Sequence, residues 1–200
     1  MTRILLVRHA PTEETGTRLT GRLPGVSLGP DGERAALATA HALADLEVTA
    51  IYSSPIERTM ETARILALPH NLSPITEPGV TEIDFGTWTG QTLDSLRQTE
   101  LWKTVQSRPS QFRFPEGESF VQAQARAVES VRRIARERTG STVVVVSHSD
   151  TIKLVLSHFL GQPLDLFQCL RIATASISDL RLDGDQAPVV ASINTTGVGR

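Results

Sequence analysis

Four short stretches carry the residues able to do chemistry. Arg8-His9 ends the apolar run Ile4-Leu5-Leu6-Val7, and His148 follows a second such run, STVVVVS at residues 141–147. Arg58 comes shortly after Pro55, and Glu82 and Asp84 flank Ile83. Two arginines and two histidines converging on one pocket suit a tetrahedral dianion, because guanidinium makes bidentate, charge-assisted bonds to phosphate oxygens that lysine cannot reproduce. A neutral imidazole is a competent nucleophile near neutral pH, its unperturbed pKa being ~6.5. A carboxylic acid beside the bridging oxygen would protonate a leaving alcohol, an effect worth roughly 10²–10⁴-fold. It would then deprotonate the water that hydrolyses a phosphohistidine. The arginines supply the positive charge, so the chemistry calls for no metal and no other cofactor.

Each of these residues also has a plainer reading. Arg8-His9 alone could be a solvated strand end; two buried strands that each deliver a histidine argue otherwise. Arg58 lies in a first helical turn, where a cation opposes the helix dipole. A bound anion would offset that conflict, whereas an ion pair with Glu57 or Glu61 is the competing explanation; the anion reading is preferred. Glu82 or Asp84 could equally pair with a neighbouring arginine. Asp150 reads as an N-cap, with assistance to catalysis left open. His41, His70 and His158 are expected in structural or surface roles, and Cys169 as a small buried hydrophobe.

The two apolar runs are too short and continuous for helices and read as buried parallel strands; Pro11 blocks any helical continuation of the first. Strand ends of this kind are where open α/β sheets bind ligands. Residues 11–28 form a long glycine-containing loop over the first strand end, within which Arg18 and Arg22 could reach a ligand. Gly29-Pro30 starts a helix with Ala35, Ala36, Leu37, Ala40, Leu43 and Leu46 on its apolar face. A strand at 50–54 leads through Pro55 into a helix at 56–68. Residues 75–84 are expected to be extended, 92–102 helical, and 108–117 an irregular lid or substrate wall exposing Phe112 and Phe114. A long amphipathic helix follows at 118–138, with Arg132, Arg133, Arg136 and Arg138 on its solvated side. After the strand ending at His148 come a helix at 151–160, strands at 176–182 and 189–193 around Asp183-Gly184-Asp185, and a flexible tail at 194–200. Alternating strands and helices predict an α/β sandwich with a mostly parallel sheet and one or more antiparallel edge strands.

With 200 residues, 40% of them hydrophobic, the chain can form one domain, spanning residues 1–200, around a substantial core. A net charge of −2 offers no field to recruit nucleic acid or an anionic membrane, so any anion site must be a local cluster. One cysteine excludes an intramolecular disulfide, and neither a membrane span nor a signal-peptide segment is evident; cytoplasmic residence is expected.

RHAPT, SSPIERTMETA, EIDFGTWTG and VSHSD occur in the order expected of the histidine phosphatase superfamily. The chain resembles its branch containing phosphoglycerate mutase and cofactor-independent sugar and nucleoside phosphatases. The resemblance implies a three-layer α/β/α sandwich, His9 as the phosphorylated nucleophile, Arg8, Arg58 and His148 as the phosphate pocket, and Glu82 as the proton donor. Thr12, Arg18, Thr20, Gly21 and Ser149 are expected to contact the substrate. The chain departs from the family pattern at Ala10 and Ser149, where glycine is usual. It departs again at Glu14-Thr15, where Trp-Asn is common, and at Thr20-Gly21, where Gln-Gly is familiar.

The expected activity is hydrolysis of a small phosphorylated metabolite. A phosphomutase is the alternative: mutases of the family resemble a longer chain with larger insertions and a lidding tail, whereas here the stretch between Glu82 and His148 is short and the tail brief. A non-catalytic phospho-ligand binding module would not need nucleophile, acid and clamp together. A serine hydrolase lacks its G-x-S-x-G elbow. The sequence leaves open which metabolite is used and the oligomeric state, a homodimer being one option.

Overall fold

Ile4, Leu5, Leu6 and Val7 alternate across one strand, yet all four are buried, so helices must cover both faces of the sheet that holds them. In the computed structural model, which describes residues 1–184 and 186–196, they do. The elements run β1 (Thr2–Arg8), α1 (Pro30–Leu43), β2 (Val48–Ser53), α2 (Glu57–Ala67), β3 (Ile75–Thr76), α3 (Leu93–Arg97), α4 (Glu100–Ser107), α5 (Phe120–Glu137), β4 (Thr142–Ser147), α6 (Ser149–Phe159), β5 (Ile177–Leu182) and β6 (Val189–Thr195). The sheet order is β3-β2-β4-β1-β5-β6. β3, β2, β4 and β1 pair in parallel, and β5 and β6 add antiparallel pairings at one edge. Ile4 and Leu6 pack with Ala127, Val131 and Val155 of α5 and α6. Leu5 and Val7 face Ala40 and Leu43 of α1 and Ala63 and Leu66 of α2. The result is the three-layer α/β/α sandwich with a mostly parallel sheet that the sequence predicts.

Local signals set the helix starts. Gly29 caps α1, with Pro30 at its first position. Ser119 and Gln122 close a reciprocal capping box on α5. Several expectations need correction. Leu37 points to solvent from α1. Residues 75–84 hold only a two-residue strand, because Pro78 and Gly79 turn the chain into a short 3-10 helix. The helix expected at 92–102 is two helices, since Thr92 and Thr99 each cap a new start. Arg133 and Arg138 are only half exposed: Arg133 bonds Glu77 and Glu137, and Arg138 donates to the Tyr52 hydroxyl. Asn194 and Thr195 belong to β6 rather than to a tail, while Asp185 of the expected turn and residues 197–200 lie outside the described residues. Cys169 is exposed, in a 3-10 helix packed against α6.

The largest correction concerns Phe112 and Phe114. They are 4% and 2% exposed and belong to a third core with Phe85, Trp88, Phe120 and Phe167. Their rings meet edge to face at 5.0 Å. The segment 108–117 folds inward because Gly86, at φ +51°, and Gly117 let two backbones touch: a Cβ on Gly86 would lie 1.9 Å from the Pro115 carbonyl. This cluster backs the segment that carries Glu82. Phe114→Ala should therefore cost about 3–5 kcal/mol in denaturant unfolding; a loss below ~1 kcal/mol would restore the exposed-lid reading.

Candidate active site

The register of the central strands builds the site. Arg8 of β1 lies opposite Ser147 of β4, so His9 and His148 emerge side by side where both strands end, with ring centroids 5.4 Å apart. Ser54 joins them, its amide bonded to the Val146 carbonyl just beyond the end of β2. Helices α2 and α6 begin at these same strand ends, so their amino termini, which favour anions, face the histidines.

Arg58 in the first turn of α2 is 2% exposed and reaches between the two imidazoles. Its Nε donates to His9 Nε2 (3.3 Å) and its Nη2 to His148 Nδ1 (3.1 Å) and to the Gly21 carbonyl (2.7 Å). Guanidinium has no acceptor, so these bonds fix both tautomers. His9 keeps its proton on Nδ1, donated to the Ala10 carbonyl at 2.8 Å, and presents an unprotonated Nε2. His148 keeps its proton on Nε2 and donates to Ser54 Oγ at 2.9 Å. Burial, then the Arg58 charge, lowers the His9 pKa to about 3. Burial and the same cation push His148 well below its usual value. Glu57 and Glu61 do not pair with Arg58; they accept the Gly25 and Leu28 amides and tether the loop over the site.

Arg8 donates Nη1 to the Ile172 carbonyl at 2.7 Å. Its Nε, and Nη1 of Arg58, are buried polar atoms with no hydrogen-bond partner among the described residues. Such donors are costly unless a ligand takes them. Glu82 is 8% exposed; its Oε1 accepts the Ile83 amide (3.0 Å) and the Thr151 hydroxyl (3.1 Å). Burial and the nearby Asp150 charge raise its pKa, outweighing Arg58, so the neutral acid is favoured. Asp84 is not the alternative acid, because its carboxylate accepts the Gly86 amide and faces Arg22.

Arg8, His9, Arg58 and Glu82 open into a cavity of about 190 Å³ that Thr12, Arg18, Thr20, Gly21, Ser149 and Asp150 also line. His148 is fully buried and does not line it; it joins the cluster through Arg58. A larger cavity of about 390 Å³ at the other end of β1, lined by Met1, Arg132 and Phe159, holds no such cluster; volume does not select the site. Arg18 stands at the rim, paired with Glu14. Gly21, at φ +51°, leaves room for Phe85, which a Cβ would meet at 2.8 Å. Asp150 is not an N-cap: α6 starts at Ser149, two residues earlier than expected, with His148 as its N-cap, and Asp150 pairs with Lys153 at 3.1 Å. His41, His70 and His158 do not line the cavity. Ser54 and Thr151 were missed by sequence reasoning; only their adjacency to Pro55 and to SHSD signalled them. The arrangement can bind a phosphoryl group, attack it from His9 and protonate what leaves.

The sequence profile of the histidine phosphatase superfamily (branch 1) matches residues 4–196. Phosphoserine phosphatase 1 of Hydrogenobacter thermophilus is 30% identical, the match covering 98% of this chain and 93% of that one. A probable phosphoglycerate mutase GpmB of an Enterobacter species is 32% identical over 96% and 89%. The solved structure of Bacillus stearothermophilus YhfR superposes with a TM-score of 0.91 at 28% identity, covering 98% of each chain. The chain belongs to the histidine phosphatase superfamily, as the motif order implies.

The folded His9 does not take up a proton near pH 6.5, where the unfolded one does, so it binds fewer protons than the unfolded state between pH 6.5 and about 3. Native stability should then drop as the pH is lowered from 6.5 to about 3, by up to about 1.4 kcal/mol per unit from this residue. In ¹⁵N NMR, His9 should stay neutral to about pH 4, and Arg58→Ala should move its pKa back up toward 6.5. A wild-type His9 titrating near 6.5 would contradict the geometry.

Proposed function

We propose that the protein is a metal-independent phosphomonoester hydrolase working through a phosphohistidine on His9, with residues 1–200 acting as one catalytic domain in the cytoplasm. The observation that carries this reading is the unprotonated His9 Nε2 beside two buried guanidinium N–H donors without partners among the described residues, with a carboxyl of raised pKa in the same cavity. The substrate phosphate takes those donors and the first amides of α6, while His148 holds Arg58 from behind. His9 Nε2 attacks phosphorus in line as the P–O bond to the alcohol breaks, and Glu82 gives its proton to the departing oxygen. Glu82, now ionised, takes a proton from a water that attacks the phosphohistidine, releasing inorganic phosphate and restoring both groups. The arginines, fixed before the reaction, supply the charge stabilisation that a metal would otherwise provide.

The cavity suits a small organic phosphate, and the phosphatase and mutase names among the relatives point to small phosphorylated metabolites. Thr12, Thr20 and Ser149 line the cavity and Arg18 its rim, where they would meet the leaving group. Residence in a reducing compartment fits the lone exposed Cys169. A phosphomutase is the second reading, favoured by the mutase name of one relative; it would return the phosphoryl group to another hydroxyl instead of to water.

Hydrolysis of p-nitrophenyl phosphate by wild type should be unaffected by EDTA and fall by ~10³-fold or more in His9→Ala that is still folded. Activity lost in EDTA and restored by a divalent ion would overturn metal independence. Retained activity in His9→Ala would overturn the nucleophile. Isomerisation of a phosphoglycerate without phosphate release would favour the mutase.

A further inference from the structure

Glu82 sits on a segment without regular structure, between a 3-10 turn at Pro78–Val80 and another at Gly86–Trp88. A proton donor must be held to a fraction of an ångström, and such a segment cannot do this from its own backbone. We propose that Arg126 of α5 and Arg22 of the covering loop, joined through Glu118, are positioning residues that hold Glu82 for proton transfer.

Arg126 engages all five of its N–H donors. Nη1 donates to the carbonyls of Gly79 (2.8 Å) and Thr81 (2.7 Å), and Nη2 to that of Glu82 (3.1 Å). The remaining donors form a fork on Glu118, Nε to Oε1 at 2.8 Å and Nη2 to Oε2 at 2.9 Å. Arg22 approaches from the other side: its Nε donates to the same Glu82 carbonyl (2.9 Å) and its Nη2 to Glu118 Oε2 (2.9 Å). Glu118 Oε2 also accepts the Asp84 amide at 2.9 Å. The acid's carbonyl is thus held by two guanidinium groups, and the chain two residues later is held by the carboxylate that links them.

The charges are arranged so as not to ionise the acid. Both arginines grip carbonyl oxygens, and their charges are answered by Glu118 and, for Arg22, by Asp84 at 3.7 Å. Burial and Asp150 therefore keep control of the Glu82 proton. Lysine, with three donors and no planar fork, cannot replace Arg126. Arg22 adds a second property, since it ties the position of the acid to the docking of the loop at residues 11–28.

This inference rests on Glu82 being the acid, and the test separates the two. The ratio of kcat/KM for phenyl phosphate to that for p-nitrophenyl phosphate reads proton donation, because phenol is the poorer leaving group. The ratio should drop in Glu82→Gln. It should also drop about tenfold in Arg126→Met and in Arg22→Met, as expected for a displaced acid. Arg126→Lys should not rescue it, and adding Arg126→Met to Glu82→Gln should lower it no further. Arg22→Met, at a half-exposed site, carries the test if Arg126→Met fails to fold. Equal slowing of both substrates, or a further drop in the double variant, would overturn the positioning role. An unchanged ratio in the arginine variants alone would overturn it too, while leaving Glu82 as the acid. An unchanged ratio in Glu82→Gln would overturn both.

Discussion

A single buried cation organises the site. Arg58 is sealed from water and bonded to both imidazoles, and its place in the first turn of α2 sets its charge against the helix dipole. Such a group is tolerated only when its hydrogen bonds are satisfied and opposite charge is near. The Gly21 carbonyl meets the first need in part, and Glu82 supplies Coulombic attraction. One Nη1 remains for a ligand. Arg58 also dictates the state of its neighbours, because each imidazole must turn a lone pair toward it and is thereby held neutral.

Burial acts in opposite directions on the proton affinities of one pocket. The histidines lose affinity for protons because they are buried beside cations. Glu82 gains affinity because burial and Asp150 outweigh those same cations. Environments that push titratable groups apart in this way suit the nucleophile and acid roles proposed for His9 and Glu82. The two arginines keep buried N–H donors without partners among the described residues, which a phosphate dianion would take.

The sheet and the ends of β1 and β4 were legible in the sequence because continuous apolar runs have one reading when they stop at charged residues. His9, His148, Arg58 and Glu82 followed, each fixed by a local motif. Phe112 and Phe114 did not, since nothing local says whether a proline-rich loop turns outward or inward. The decision lies in the close approach of Gly86 and Gly117, a long-range fact. Asp150 was misplaced by a two-residue shift of the helix boundary. The grip on Glu82 was invisible for a further reason: Arg22, Glu118 and Arg126 lie on three elements, and each alone reads as a solvated charge.

The most direct measurement is rapid quenching of wild type during turnover of a ³²P-labelled phosphomonoester, followed by mapping of the labelled peptide. The expected result is a label that survives alkali, is lost in acid and resides on His9, with none in His9→Ala. Label on another residue, or none while wild type turns over at a rate limited by dephosphorylation, would contradict a phosphohistidine built on the Arg58-held imidazole.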